Sequence, residues 1–279
     1  MPAEPCQLRP PQPPTIHRVA RTLSRCLAAA VDEGLITDNP AADLPLPDIE
    51  ENEMNLLTDE EIWRLAHAMH PRYRPSVLLA GFCGLRLGEL LGLRWKHVDL
   101  AGRRLHIVET MTELDGRLLI GPPKAKARVR SLPLPEFVVS SLSRLQDEND
   151  GTDGTAGDAL VFGTSDDRPL SPGLLHRKYW TPAVDEAGLG PLWVRDLRHS
   201  AVAIWIRERV HPEQIVALGG FPSIPALFRT YGHLYRDAGT LMSLLDELAE
   251  ANRDADHPSA AVAAEVGKAQ PASTGIQNG

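Results

Sequence analysis

A chain of 279 residues, 43% hydrophobic and 24% charged with a net charge of −8, has a soluble globular composition and the length for two domains and a full core. No apolar run approaches the roughly 20 residues that span a bilayer, and the proline-rich start MPAEPCQLRPPQPP lacks the apolar stretch of an export signal, so no membrane is expected. Cys6, Cys26 and Cys83 form no C-x-x-C pair, which argues against a disulfide framework or a thiolate zinc site and for a cytoplasmic protein.

Residues 1–14 are expected to be disordered. TIHRVARTLSRCLAAAVDEGL (15–35) spaces its apolar groups for a helix, and an Asn-Pro break closes that segment by residue 40. Residues 41–56 are rich in proline and acid and read as a linker. Thr58 followed by Glu61 is a capping-box pattern that starts a helix running to about residue 70; further helices fit 73–83 and 87–94. From Arg103 the pattern changes. RRLHIVE, GRLLIG and ARVRSLPL alternate or are β-branched, which predicts three short antiparallel strands. Helices follow at about 135–146, 172–187, 197–209, 212–219, 224–231 and 237–251, and residues 253–279 have no periodic face, as a disordered tail would not. The predicted fold class is mostly α with a small antiparallel β-sheet, its main domain covering 57–252.

The net charge argues against a nucleic-acid partner only until its distribution is followed. Between Arg25 and Arg64 there are eleven Asp and Glu and no Lys or Arg; basic residues cluster instead at 124–130 and 195–198. Four segments could carry chemistry. GFCGLRLGELLGLRW puts Arg86 at a Gly-flanked helix start, where a guanidinium can grip a phosphate, with Glu89 one turn on to fix its rotamer. PPKAKARVRSLPLP gathers Lys124, Lys126, Arg128 and Arg130 around a turn, where a lysine can meet a phosphate or donate a proton. LWVRDLRHS sets Arg195 and Arg198 three apart on one helix face. Tyr231, in LGGFPSIPALFRTYGHLY, has a phenol that needs positive charge or a base nearby to act as a nucleophile. Each alone also fits an ordinary role: a surface ion pair, a lysine-guarded edge strand, a solvated basic face, a packed tyrosine.

Taken in order, G-L-R-x-G-E followed by L-x-W, a lysine hairpin ending in P-L-P, D-L-R-H-S and Y-G-H-L resemble the catalytic domain of tyrosine recombinases, the phage integrase family, from about Leu57 to Leu234. Residues 15–40 resemble the last helix of that family's core-binding domain, which implies an N-terminally truncated member. The resemblance implies a site-specific recombinase that cuts and rejoins DNA through a 3′-phosphotyrosyl intermediate. Arg86 and Arg198 would clamp the scissile phosphate, Tyr231 would attack it, and Lys124, ahead of Lys126, would protonate the departing 5′-oxygen. Glu89 would support Arg86, and Lys126, Arg128 and Arg130 would contact DNA. Arg195 and Phe221 stand where the family has histidines, while His199 and Ser200 match its R-H-S run and read as structural. The implied partners are double-stranded DNA and further copies of the chain, as a tetramer on DNA, with the helix at 237–251 packing in cis or on a neighbour. No metal or nucleotide cofactor is implied, because the covalent link conserves the phosphodiester energy. Alternative readings are an inactive remnant that binds DNA or a recombinase partner, and type IB topoisomerase-like strand passage.

Overall fold

A computed structural model describes residues 11–49, 54–123, 129–149, 157–164, 166 and 168–235. Lys124, Lys126, Arg128, the helix expected at 237–251 and the tail from 253 lie outside the described residues. The chain divides into two units, at Met54/Asn55.

In the first unit, Pro13 and Pro14 open helix α1 (Pro13–Asp32), two residues earlier than the periodicity predicts. Proline suits that place because the first-turn N–H groups have no helical partner. No residue of α1 is buried. The chain then folds back along it: the Asn39 amide donates to Ser24 O and Oγ, at 2.9 and 3.1 Å, and His17 Nε2 lies 2.7 Å from Pro47 O. Part of the expected linker is therefore tied to the helix it follows.

The second unit carries the main core. Thr58 and Glu61 form the expected capping box: Thr58 N–H donates to Glu61 Oε2 (2.9 Å) and Glu61 N–H to Thr58 Oγ1 (3.2 Å). Helix α2 (Asp59–Ala68) leads through a 3₁₀ turn into α3 (Arg74–Cys83), which is buried along almost all its length. Gly84, at φ +67°, ends α3 in the left-handed conformation that favours glycine. Helix α4 (Leu87–Leu91) stops at Gly92, short of the expected 94.

Among the described residues five strands follow rather than three, in two sheets. β1 (Val98–Asp99), β2 (Arg104–Ile107) and β5 (Arg130–Pro133) form one antiparallel sheet in the order β1-β2-β5, with Leu105 opposite Leu132. β3 (Thr110–Leu114) and β4 (Arg117–Gly121) form a separate hairpin, Thr110 opposite Gly121. Asp115 (φ +48°) and Gly116 (φ +73°) turn it, as a two-residue hairpin loop requires. β3 escaped the sequence reading because TMTEL has one buried residue, Met111, and otherwise faces outward.

Helix α5 (Glu136–Asn149) closes over this region. The segment expected as one helix over 172–187 is α6 (Pro172–Leu175), a π-helical turn (His176–Trp180) and α7 (Thr181–Glu186). Helix α8 (Val194–Arg207) starts three residues before the expected 197, which brings Arg195 into its first turn. Helices α9 (Pro212–Gly219) and α10 (Ile224–Tyr231) end the described chain with a 3₁₀ turn at Gly232–Tyr235. Pro222 and Pro225 do not disturb α10: Ser223 Oγ accepts the Ala226 N–H (3.3 Å), and Pro225 sits in the first turn. The core packs α3 against α8, with α2, α5 and the three-stranded sheet around it. No described helix is long and apolar enough to cross a membrane.

Candidate functional site

Helix ends build the site. Gly84 terminates α3 and Gly220 (φ +58°) terminates α9, and the carbonyls at both helix ends, the negative end of the helix dipole, are left for side-chain donors. Arg198 of α8 is buried between them. Its Nη1 donates to Gly84 O and its Nη2 to Gly219 O, the latter at 2.6 Å. Arg86, just before α4, donates from Nη2 to Gly220 O (3.2 Å) and from Nη1 to Glu89 Oε1 (2.9 Å). The two guanidiniums are thereby fixed by carbonyls and one carboxylate. Burial and the neighbouring Arg86 push Arg198 down to about 9, so it stays a cation at neutral pH.

Glu89 is only 2% exposed and accepts four hydrogen bonds, two from Arg86 and two from Arg130. Its Oε2 accepts the Arg86 backbone N–H (2.9 Å), closing the start of α4. Arg130 of β5 grips both oxygens, Nη1 to Oε1 at 2.9 Å and Nη2 to Oε2 at 3.0 Å, and sends Nε to Leu218 O at 2.6 Å. Burial raises the Glu89 carboxyl, but Arg130 and Arg86 outweigh it and hold the group below its ordinary range. The expected DNA contact from Arg130 does not fit this geometry: its side chain is 5% exposed and turned inward onto Glu89.

Tyr231, the last residue of α10, is 2% exposed. Its phenol oxygen lies 2.7 Å from His199 Nδ1, one residue beyond Arg198. Burial raises the phenol, against the opposing pull of Arg198 and Arg86. Burial and Arg195 lower the His199 imidazole. Both shifts favour neutral partners, with the proton on the phenol. Phe221 sets its ring edge-on to Tyr231 (centroids 5.9 Å apart) and 5.0 Å below the Arg198 guanidinium. An aromatic face there meets the cation but offers no hydrogen bond. Ser200 Oγ accepts the Leu57 N–H and donates to Asp196 O, tying α8 to the segment before α2.

Arg86, Arg195, Arg198, His199, Phe221 and Tyr231 line one cleft of about 980 Å³, with an apolar floor that includes Leu87, Leu175 and Val194. Trp193, 59% exposed, stacks on His176 at 4.8 Å along one side. The structure thus brings together four separated segments: Arg86, Arg195 with Arg198, Phe221 and Tyr231. From the sequence His199 reads as structural, yet the structure sets it against the Tyr231 phenol. Its adjacency to Arg198 was visible, but only the crossing of α8 and α10 puts it on the phenol.

Two anchored cations and a neutral phenol share one cleft of a helical domain with a small sheet, an arrangement that can hold an oxyanion beside a hydroxyl. The chain belongs to the phage integrase family, whose model matches residues 55–237. It is 25% identical over 230 residues to the ICEBs1 integrase of Bacillus subtilis, covering 79% of this chain and 62% of that protein. It is 27% identical over 196 residues to the prophage phiRv2 integrase of Mycobacterium tuberculosis, covering 69% of this chain and 51% of the relative. The chain therefore spans about half to three-fifths of these relatives. A solved structure of the Tn1549 transposon integrase in complex with circular intermediate DNA matches with a TM-score of 0.71 at 18% identity, over 85% of this chain and 81% of that one. The lambda integrase bound to DNA matches with a TM-score of 0.51 at 18% identity, over 76% and 72%. At these identities the likeness is one of fold.

Proposed function

We propose that this chain cuts and rejoins double-stranded DNA at specific sites, with Tyr231 forming a 3′-phosphotyrosyl link. One observation carries the reading: Arg86 and Arg198, each anchored by helix-end carbonyls, share a cleft with the Tyr231 phenol. Guanidiniums held in place before the substrate arrives stabilise developing charge on a pentavalent phosphorus without reorganising. Tyr231 attacks phosphorus, Lys124 protonates the departing 5′-oxygen, and Glu89 with Arg130 keeps Arg86 in position. Lys126 and Arg128 contact the DNA, and further copies assemble on it. Arg195 still binds phosphate in place of histidine but cannot exchange protons at neutral pH. Phe221 supplies no donor. Losing one donor to the transition state costs about 10²–10³ in rate, so the expected enzyme is slow.

The 2% exposure of Tyr231 favours a second reading, a chain that binds DNA or a recombinase partner without cleaving. A pool of nicked duplexes with a randomised core separates the two. Incubation, denaturation with detergent and sequencing of protein-linked DNA should recover an enriched core from the wild type and none from Tyr231→Phe. Equal recovery from both, or none from the wild type, removes the recombinase reading.

A further inference from the structure

We infer that His199 is the catalytic base of this site, taking the phenolic proton of Tyr231 at Nδ1 as the tyrosine attacks; the inference rests on the strand-cutting reading above. The geometry is already in place, with Oη 2.7 Å from Nδ1 and the rings 5.6 Å apart at 50°. That is hydrogen-bond reach for a general base before any substrate arrives. The other groups that act on the phenol cannot accept its proton: Phe221, edge-on to it, has no acceptor, and Arg198 and Arg86 are guanidinium donors. His199 is the group at this phenol that can.

The step balances. The Oη–P bond forms as the P–O5′ bond breaks with its electron pair on O5′. The phenolic proton moves to Nδ1, and O5′ takes a proton from the lysine of the preceding reading. Rejoining runs the same transfers backwards, with His199 returning its proton to Tyr231. The charged surroundings set the timing. Arg195, Asp196 and Arg198 flank His199 on α8, Tyr231 meets it from α10, and Arg86, His176 and Arg177 line the same cleft. This mostly cationic environment favours the neutral imidazole and opposes an imidazolium. The proton therefore leaves the phenol only as negative charge gathers on the phosphate, and does not transfer in the resting protein.

Two measurements test this, and the first does not depend on cleavage. In the full chain labelled with ¹⁵N-histidine at pH 7, His199 Nδ1 should be unprotonated and hydrogen-bonded, with Nε2 carrying the proton, and its Nδ1 signal should move in Tyr231→Phe. A protonated Nδ1 overturns the inference, because the phenol would then be the acceptor. The second is single-turnover adduct formation on the nicked duplexes recovered above, between pH 5 and 8. The wild-type rate should rise through a pKa below the usual 6.5 and then level off. His199→Gln should lose that limb and fall about 10²–10⁴-fold, and added imidazole should restore part of the rate to His199→Gly. Duplex binding by anisotropy and the melting curve check that each variant folds. If the wild type forms no adduct, the strand-cutting reading fails. If it forms one and His199→Gln keeps its rate and pH profile, only the role of His199 fails.

Discussion

Glu89 is a carboxylate almost without water, and its charge is stable there only because Arg130 and Arg86 supply hydrogen bonds to both oxygens. Removing one side of a buried pair leaves the other charge uncompensated, which typically costs about 3–5 kcal/mol. Glu89→Gln should lose about that much in urea unfolding, with Arg130 as the stranded partner. The pH dependence has a definite sign. A carboxyl held below its ordinary 4.5 contributes stability that is complete above that value and lost as pH falls through the lower folded one. The wild type should therefore lose stability below about pH 4.5 more steeply than Glu89→Gln; parallel curves would assign the acid loss to other groups. Glu89 beside Arg86 was legible from their three-residue spacing. Arg130 was not: in the alternating run RVRSLP its side chain belongs to one face of a strand. Period two does not say whether that face meets solvent or a buried carboxylate.

Among elements, the close approach of the β3–β4 hairpin to α4 depends on two glycines. A Cβ on Gly88 would lie 2.6 Å from Met111 O, and one on Gly92 would lie 2.9 Å from Met111 N, so both meet backbone that cannot swing aside. Gly88→Ala gains up to about 1 kcal/mol of helix propensity and forces a strand shift that costs about 1–3 kcal/mol. The clash should win, giving a net loss in urea unfolding, while Gly121→Ala, with nothing within 4 Å, should be close to neutral. A stabilised Gly88→Ala would mean that the hairpin rides loosely on α4. G-L-R-L-G-E-L-L-G read as a helix start, and its four-residue glycine spacing was available as a packing signal. The partner strand was hidden, because β3 shows one buried side chain and its close approach to α4 is made largely by backbone atoms of Met111 and by Thr110. The helices whose apolar faces repeat at helical spacing were legible nearly to their ends. The 172–186 segment was not, since a π-helical turn shifts the face without changing the composition.

At the scale of the whole molecule, the net charge of −8 and the cationic cleft are compatible because salt limits the reach of charge. At about 0.1 M ionic strength an exposed charge is felt over roughly 10 Å. A phosphate entering the cleft meets Arg86, Arg177, Arg195 and Arg198, which line it. Each cation that neutralises a phosphate releases condensed counterions and adds about one unit to the slope of log K against log salt. Exposed Arg195 and inward-turned Arg130 should then separate two functions of arginine in one molecule. On a 30-bp duplex of mixed sequence, titrated by anisotropy between 50 and 200 mM salt, Arg195→Ala should lower the slope by about 1. Its stability should stay within about 0.5 kcal/mol of wild type. Arg130→Ala should do the reverse, unfolding at lower urea through the stranded Glu89 while folded protein keeps the wild-type slope. If Arg130→Ala flattens the slope as much as Arg195→Ala does, the guanidinium on Glu89 also reaches DNA, and the division between supporting and binding arginines fails.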